Sequence, residues 1–242
     1  MWDALAGGLA ARGLDVAFAL DAVAFDAACA PVAPALTLSS ILPGARGALV
    51  VGSSGRAFFD AFSRSAGARD GAPDPFDRYT RVVVVEAARA ALAPLGVAHA
   101  LRFPFMRAAG DDAGDAPVPF QRLGRAVGLA ATSPLGLQIH PAHGAWWAYR
   151  ALVVVDAELP PTPRLADGCA GCPAPCVDAC PAGAVRLVAD GGFDIPACHA
   201  RRRTAEPCHL SCAARLACIR APERRYSDEQ LAFHMRASMP RR

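Results

Sequence analysis

The pattern of apolar and polar positions predicts a mixed α/β region that precedes a cysteine-bearing region. Short apolar runs bounded by turn residues predict strands over residues 47–53, 97–103 and 147–155, of which the last, WAYRALVVV, has the clearest pattern. One apolar face over residues 120–131 predicts a helix. Ser227, followed by Glu and Gln, is typical of a helix start and predicts a short helix near the C-terminus.

Residues 74–95 carry two conflicting signals. The run Val82–Val85 has high β propensity. However, Asp74 followed by Pro75 is typical of a helix N-cap with proline in the first turn, and the next residues, EAARAALAPLG, continue to a Pro/Gly stop. We interpret this segment as a helix.

Composition and charge exclude several classes of function. The chain has 242 residues and a formal net charge of +3, and its basic residues are too dispersed for a nucleic-acid-binding face. The most apolar early stretch, residues 16–38, is interrupted by Asp and Pro, which argues against a membrane span. The N-terminal MWDALAGG lacks the positive charge of a signal peptide. We therefore expect a cytoplasmic protein, with neither a nucleic acid nor a membrane as partner.

The cysteines are the strongest chemical signal, because eight of the nine lie between residues 169 and 218. In a reducing compartment such a group indicates metal binding rather than disulfides. The first four, with a proline after the fourth, follow the bacterial ferredoxin run C-x2-C-x2-C-x3-C-P with one extra residue in the second gap. These are Cys169, Cys172, Cys176 and Cys180.

Four further cysteines, Cys198, Cys208, Cys212 and Cys218, complete the number needed for two 4Fe–4S clusters. In two-cluster ferredoxins the fourth cysteine of the run binds the other cluster. Crossed ligation would assign Cys169, Cys172, Cys176 and Cys218 to one cluster. It would assign Cys180, Cys198, Cys208 and Cys212 to the other.

Other interpretations of the cysteines remain open at this stage. All-thiolate zinc sites also use C-x2-C pairs. The irregular spacing of the second four is compatible with a single cluster and spare structural cysteines, and disulfides are a third alternative. Cys29, in an alanine-rich segment, is expected to be a buried apolar residue.

Residues 136–160, GLQIHPAHGAWWAYRALVVVDAELP, hold two histidines and two tryptophans before the strongest predicted strand. Taken alone, these residues indicate packed core side chains or a weak H-x2-H metal motif. The pattern I-H-P-x2-G-x-W-x-A-x-R resembles the signature of the CblC family of cobalamin decyanases and dealkylases. A second segment, PERRYSDEQLAFH, is similar to that family's ERYSEEQ segment.

The cysteine region resembles a different group of proteins, the epoxyqueuosine reductases and reductive dehalogenases, which carry a ferredoxin-like module. Together the resemblances imply an α/β (α+β) fold with a nitroreductase-derived, CblC-like domain. They imply a cobalamin-binding domain over residues 1–160, a 4Fe–4S module over 161–220, and a C-terminal segment, 221–242, that returns to the first domain. We expect the module to pack beside the cobalamin pocket.

The CblC resemblance also implies roles for particular residues. His140 would line the cobalamin pocket, and Trp146 or Trp147 would pack against the corrin or close the pocket. Arg225 matches an arginine linked to a thiol co-substrate, although an ion pair at a helix start would explain it equally well. Asp115 resembles the reductases' catalytic acid, whereas its run DDAGD is typical of a solvated loop.

These resemblances imply an iron–sulfur oxidoreductase that binds cobalamin and reduces it, with cobalamin as substrate or as cofactor. An electron-donating reductase or ferredoxin would be its partner. Two alternatives remain: a flavin-dependent reductase of nitroreductase ancestry, and a non-catalytic electron-transfer or corrinoid-carrier protein.

Overall fold

The structure is a computed structural model that describes residues 2–105, 118–187, 192–205 and 207–239. Within these ranges the strands are β1 Val16–Asp21, β2 Gly47–Ser54, β3 His99–Arg102, β4 Ala131–Thr132, β5 Gln138–Ile139, β6 Trp147–Val155, β7 Val185–Arg186 and β8 Gly192–Phe193. The helices are α1 Trp2–Ala10, α2 Ala22–Cys29, α3 Leu38–Ile41, α4 Ala57–Arg64, α5 Pro75–Leu92, α6 Phe120–Val127, α7 Ile195–Thr204, α8 Pro207–Leu210, α9 Ala213–Leu216 and α10 Asp228–Ala237.

The chain divides into two compact units, the first formed by residues 1–129 and 148–164 and the second by residues 130–147 and 165–242. A four-stranded sheet in the order β1-β2-β6-β3 lies in the first unit. β1 runs antiparallel to β2, with Val16 opposite Gly52, and β3 runs antiparallel to β6, with His99 opposite Val155. Every residue of β2 is buried, which explains its continuous apolar run.

Helix α5 settles the conflict over residues 74–95 in favour of the helix. Pro75 is in the first turn, where its missing N–H is not needed. Within the valine run, Val83 and Val84 are buried whereas Val82 and Val85 are 54% and 42% exposed. This is the spacing of a helix with one face on the core and one toward solvent. The helix interpretation is confirmed.

The second unit contains two small hairpins, β4-β5 and β7-β8, and the helices α7 to α10. Ser227 is the N-cap of helix α10, and its hydroxyl accepts a hydrogen bond of 3.2 Å from the backbone N–H of Gln230. At the other end of α10, the guanidinium of Arg202 donates to the backbone carbonyls of Met235 and Ser238. The predicted C-terminal helix is confirmed.

The observed units differ from the expected domains at two places. Residues 130–147 and 221–242 both belong to the second unit, together with the cysteine region. The reason lies in packing: Leu135 and Ile139 share an apolar core with Cys176 and Cys218, and Tyr226 packs against Trp146. The break after residue 164 lies inside the predicted connector, 158–168. The structure contains no helix with the length and apolarity of a membrane span in the ranges given above.

Candidate functional site

Four cysteines from two distant parts of the sequence line one cavity in the second unit. Three come from the loops that follow residue 168, and the fourth follows α9. The cavity has a volume of about 230 Å³, and Leu135 and Ile139 form part of its apolar wall. We call these four cysteines the first thiol group: Cys169, Cys172, Cys176 and Cys218.

Tight turns present the sulfurs of the first thiol group to the cavity. The carboxylate of Asp167 accepts a hydrogen bond of 2.7 Å from the backbone N–H of Cys169. The backbone N–H of Ala174 donates to Sγ of Cys172 at 3.4 Å. Cys176 and Cys218 are only 8% and 9% exposed, so half of the group is removed from water.

The thiols of the first group lie near enough to influence one another electrostatically. Burial, followed by the negative charges of Asp167 and the other three thiols of the group, raises the pKa of Cys169 to about 11. Burial also raises the pKa of Cys176, with further contributions from Cys172 and Cys218. Four thiolates gathered here would repel one another unless a cation offset their charge.

The remaining four clustered cysteines form a second set, which we call the second thiol group: Cys180, Cys198, Cys208 and Cys212. Cys198 lies on α7, and Cys212 is the N-cap of α9. Burial raises the pKa of Cys198, and the neighbouring charges of Cys212, Cys180 and Cys208 raise it further. Burial likewise raises the pKa of Cys212, to which Cys180 and Cys208 add. Cys180, Cys208 and Cys212 therefore lie near enough to Cys198 to raise its pKa.

The four cysteines of the first thiol group line one cavity. Residues 2–105, 118–187, 192–205 and 207–239 include no group of three or more His, Cys, Asp or Glu side chains placed to hold a metal ion. Zinc binds thiolates at about 2.3 Å and would draw four sulfurs around one atom. A 4Fe–4S cluster is held by four thiolates on four separate irons, so its ligands stand apart around a cavity. Four cysteine side chains at one cavity are the donor set that either kind of site uses.

The sequence pattern alone did not identify the three arginines that lie beside the thiol groups. Arg202 follows Cys198 by one helical turn, and its charge acts on that thiol. Arg215 follows Cys212 by three residues, and both its charge and its backbone N–H act on that sulfur. Arg220 lines the cavity of the first group. Arg202 and Arg215 could have been identified from their positions four and three residues after a cysteine, because residues at these spacings share a helix face.

His140 lies in a tight turn that follows β5. Its backbone N–H donates to the carbonyl of Gly144 at 3.1 Å, and the N–H of Gly144 donates back at 2.8 Å. The backbone N–H of Ala142 donates to Nδ1 of His140 at 3.1 Å, which places the proton of a neutral ring on Nε2. The rings of His140 and His143 stack with centroids 4.3 Å apart. His140 can therefore donate a hydrogen bond from Nε2.

The backbone conformation of Gly144 explains why the I-H-P-x2-G pattern requires glycine at this position. Its φ is +58°, a conformation that residues with a Cβ rarely adopt. A Cβ at this position would also collide with the backbone carbonyl of Arg220. The turn that carries His140 therefore packs directly against the segment after Cys218.

The two tryptophans occupy core positions. Trp146 is 0% exposed and packs edge-on against Tyr226, with ring centroids 5.6 Å apart. Trp147 is 6% exposed, and its Nε1 donates to the carbonyl of Gln138 at 2.9 Å. A fully buried side chain has no surface for a corrin ring, so Trp146 is a core residue in this structure. His140 is 8% exposed and Trp147 is similarly buried, so each ring has only a small exposed surface for contact with a ligand.

Of the two residues suggested as catalytic, the described part of the chain includes Arg225. Arg225 directly follows the short 3-10 helix Pro222–Arg224 in the second unit and is half-buried. Asp115 lies outside the described residues. Cys29 is 0% exposed at the end of α2, which confirms the expectation of a buried apolar residue.

Neither a protein-family model nor a curated protein matches the sequence. Solved structures do match: the B12-trafficking protein CblC of C. elegans, a homologue of human MMACHC, aligns with a TM-score of 0.60 at 13% identity, over 98% of this chain and 92% of that one. The chain has a CblC-like fold. Epoxyqueuosine reductase from Streptococcus thermophilus gives a TM-score of 0.55 at 13% identity, over 89% of this chain.

A second epoxyqueuosine reductase, solved with a tRNA-Tyr epoxyqueuosine-modified stem loop, gives a TM-score of 0.54 at 12% identity and covers 100% of this chain. The chain spans 64% and 66% of the lengths of the two reductases. This chain combines a mixed α/β architecture with an antiparallel β1-β2 pair and an antiparallel β3-β6 pair. The expected similarity in fold to both kinds of protein is confirmed.

Proposed function

We propose that this protein is an oxidoreductase that binds two 4Fe–4S clusters and a cobalamin, and that the clusters supply electrons for reduction of the cobalamin. One observation carries the proposal. The fold brings Cys218 to the same cavity as Cys169, Cys172 and Cys176, although a separate set of thiols lies between them in the sequence. The crossed grouping is the ligation pattern of two-cluster ferredoxins.

In this proposal the first thiol group holds one cluster and the second thiol group holds the other. Bound clusters supply one-electron transfer, at potentials that the protein sets through charge, hydrogen bonds and solvent exposure. The chain contributes the surroundings. Cys176 and Cys218 share an apolar core with Leu135, Ile139 and Val185, which keeps water from one side of the first group.

The cobalamin part of the proposal is supported by the CblC-like fold and by the I-H-P segment. Bound cobalamin would supply the chemistry of low-valent cobalt, and the protein would orient it. His140 is the residue we assign to contact with it, as a hydrogen-bond donor through Nε2. The structure gives Trp146 a core position, so Trp146 is left out of this assignment.

The first test is metal and sulfide content after anaerobic purification. We expect about eight irons and about eight sulfides per chain, because two cubanes carry four of each. Cys218→Ala removes one ligand of the first group and should lower both values by about half. Cys29→Ala, the matched control, changes a buried thiol of the first unit and should leave both unchanged. Stoichiometric zinc without sulfide would contradict the proposal.

The second test is titration of the holoprotein with cob(II)alamin, followed by visible absorption. We expect binding with the spectrum of the form that lacks its lower nitrogen ligand. His140→Ala should weaken binding about tenfold, the equivalent of one lost hydrogen bond. His99→Ala, the same substitution on β3, serves as the control. Tight binding of FMN without binding of any corrinoid would favour the flavin reductase. Cobalamin binding without reduction would favour the carrier.

A further inference from the structure

Two arginines with little or partial exposure flank the second thiol group, and among the described residues neither pairs with a carboxylate. Arg202 is 7% exposed, and its guanidinium donates to backbone carbonyls, including that of Ser238 at 3.0 Å. Arg215 donates from Nε and Nη2 to the carbonyl of Ala145 at 3.0 and 2.5 Å. Since carbonyls carry no net charge, neither of these hydrogen bonds brings a formal negative charge to the guanidinium groups.

Helical spacing places both arginines near cysteines of the second thiol group. Arg202 is one helical turn beyond Cys198 on α7, so the two residues share a helix face. Arg215 is held by the rings of Trp146 and Tyr226, with centroids 5.1 and 4.6 Å from its guanidinium carbon. A guanidinium held by two rings and a carbonyl keeps a constant position beside the second thiol group.

The first thiol group has different surroundings. Charges of both signs lie beside it: Asp167 accepts a hydrogen bond from the backbone N–H of Cys169, and Arg220 lines the cavity and donates to the carbonyl of Ala170. An apolar core that includes Leu135 and Ile139 packs against the group. Backbone N–H groups donate to two of its sulfurs, and these hydrogen bonds also favour reduction of a bound cluster. An N–H group is only a dipole, however, whereas Arg202 and Arg215 each carry a full positive charge.

Reduction adds one negative charge to a cluster and breaks no bond. A nearby cation stabilises the added charge, and apolar surroundings destabilise it. Net charge and solvent exposure are among the factors that set the potentials of iron–sulfur clusters. The two thiol groups therefore present a reduced cluster with unequal environments.

We propose that the two clusters have unequal reduction potentials, the cluster of the second thiol group being the higher in potential and that of the first being the stronger reductant. The inference rests on the proposed function, since it requires two clusters. The first electron from a low-potential one-electron donor, such as dithionite, would reduce the cluster held by the second thiol group. The cluster held by the first thiol group, which packs against the segment that bears His140, would be reduced only at lower potential.

The test is an anaerobic dithionite titration of the holoprotein followed by electron paramagnetic resonance. We expect two one-electron waves. Arg215→Gln removes a positive charge and should lower the potential of the more positive wave by about 59 mV. For one electron this is about a tenfold decrease in the equilibrium constant for reduction. Arg215→Lys keeps the charge and should leave that wave close to its original position. Asp167→Asn keeps an acceptor oxygen for Cys169 and should raise only the more negative wave.

The outcomes separate this inference from the proposed function. Iron and sulfide contents near four per chain, or no reducible cluster, would refute the two-cluster function itself. With both clusters present, a shift of the more negative wave by Arg215→Gln, or unchanged waves in both charge-removing variants, would overturn the inference. If Arg215→Gln loses iron because its packing on Trp146 fails, the response of the two waves to Asp167→Asn decides the question.

Discussion

Cys29 differs from the other cysteines in its surroundings. It is fully buried at the end of α2, and burial, followed by the charge of Asp26, raises the pKa of its thiol to about 11. The clustered cysteines also have raised pKa values at several positions, but there the neighbouring thiols are among the causes. A single residue type thus serves as a small apolar core residue in one unit and as a candidate ligand in the other.

The raised pKa of Cys29 leads to a prediction about stability at alkaline pH. A thiol whose pKa is higher in the folded chain contributes stability that is fully present below its unfolded pKa, about 8.5, and is lost as the pH rises toward about 11. Between about pH 8 and pH 10, wild type should therefore lose up to about 2 kcal/mol relative to Cys29→Ala. Anaerobic denaturant unfolding of both proteins measures this difference. Parallel pH curves would show that Cys29 titrates normally.

Among the elements, α5 and α6 show how far local patterns determine structure. The valines of α5 have high β propensity, but proline in the first turn and a helical spacing of buried positions outweigh it. Helix α6 ends at Val127, before the predicted end at residue 131, because Gly128 adopts a left-handed conformation with φ +78° and terminates it. Existence and type of these elements were predictable, whereas one boundary was set by a single glycine.

Helices α7 and α9 combine a candidate ligand with a cation. Cys198 and Arg202 lie one turn apart on α7, and Cys212 and Arg215 lie at the start and within the first turn of α9. Such pairing is encoded in the sequence, since residues three or four apart share a helix face. Only the tertiary structure shows that both guanidinium groups donate to backbone carbonyls.

At the scale of the whole molecule, the central question is whether the clusters serve a bound cobalamin. The first thiol group and the segment that bears His140 belong to one compact unit, in which Cys176 and Cys218 pack against Ile139. The cysteine module therefore packs beside the turn that bears His140. Packing of the module beside a cobalamin pocket stays a prediction.

Cys218→Ala tests this coupling. We expect this variant to lose the part of the dithionite-driven reduction of bound cobalamin that exceeds the rate seen with free cobalamin. The affinity for cobalamin should stay within about twofold of wild type, which is well below the tenfold change that about 1.4 kcal/mol produces. Stopped-flow absorption and equilibrium titration measure the two quantities, with Cys29→Ala as control. A matching loss of affinity would show that the module is mainly structural. An unchanged rate would show that the clusters do not serve the cobalt.

The sequence by itself determined strands β2, β3 and β6, the starts of helices α5 and α10, and the spacing of the cysteine run, because these depend on residues close together in the chain. Only the tertiary structure decided that Cys218 joins the cavity of Cys169 and that Trp146 is a core residue. Both outcomes depend on contacts between segments far apart in sequence. Local periodicity shows that a side chain is apolar or ligating, whereas the folding of the chain decides which distant side chains it meets.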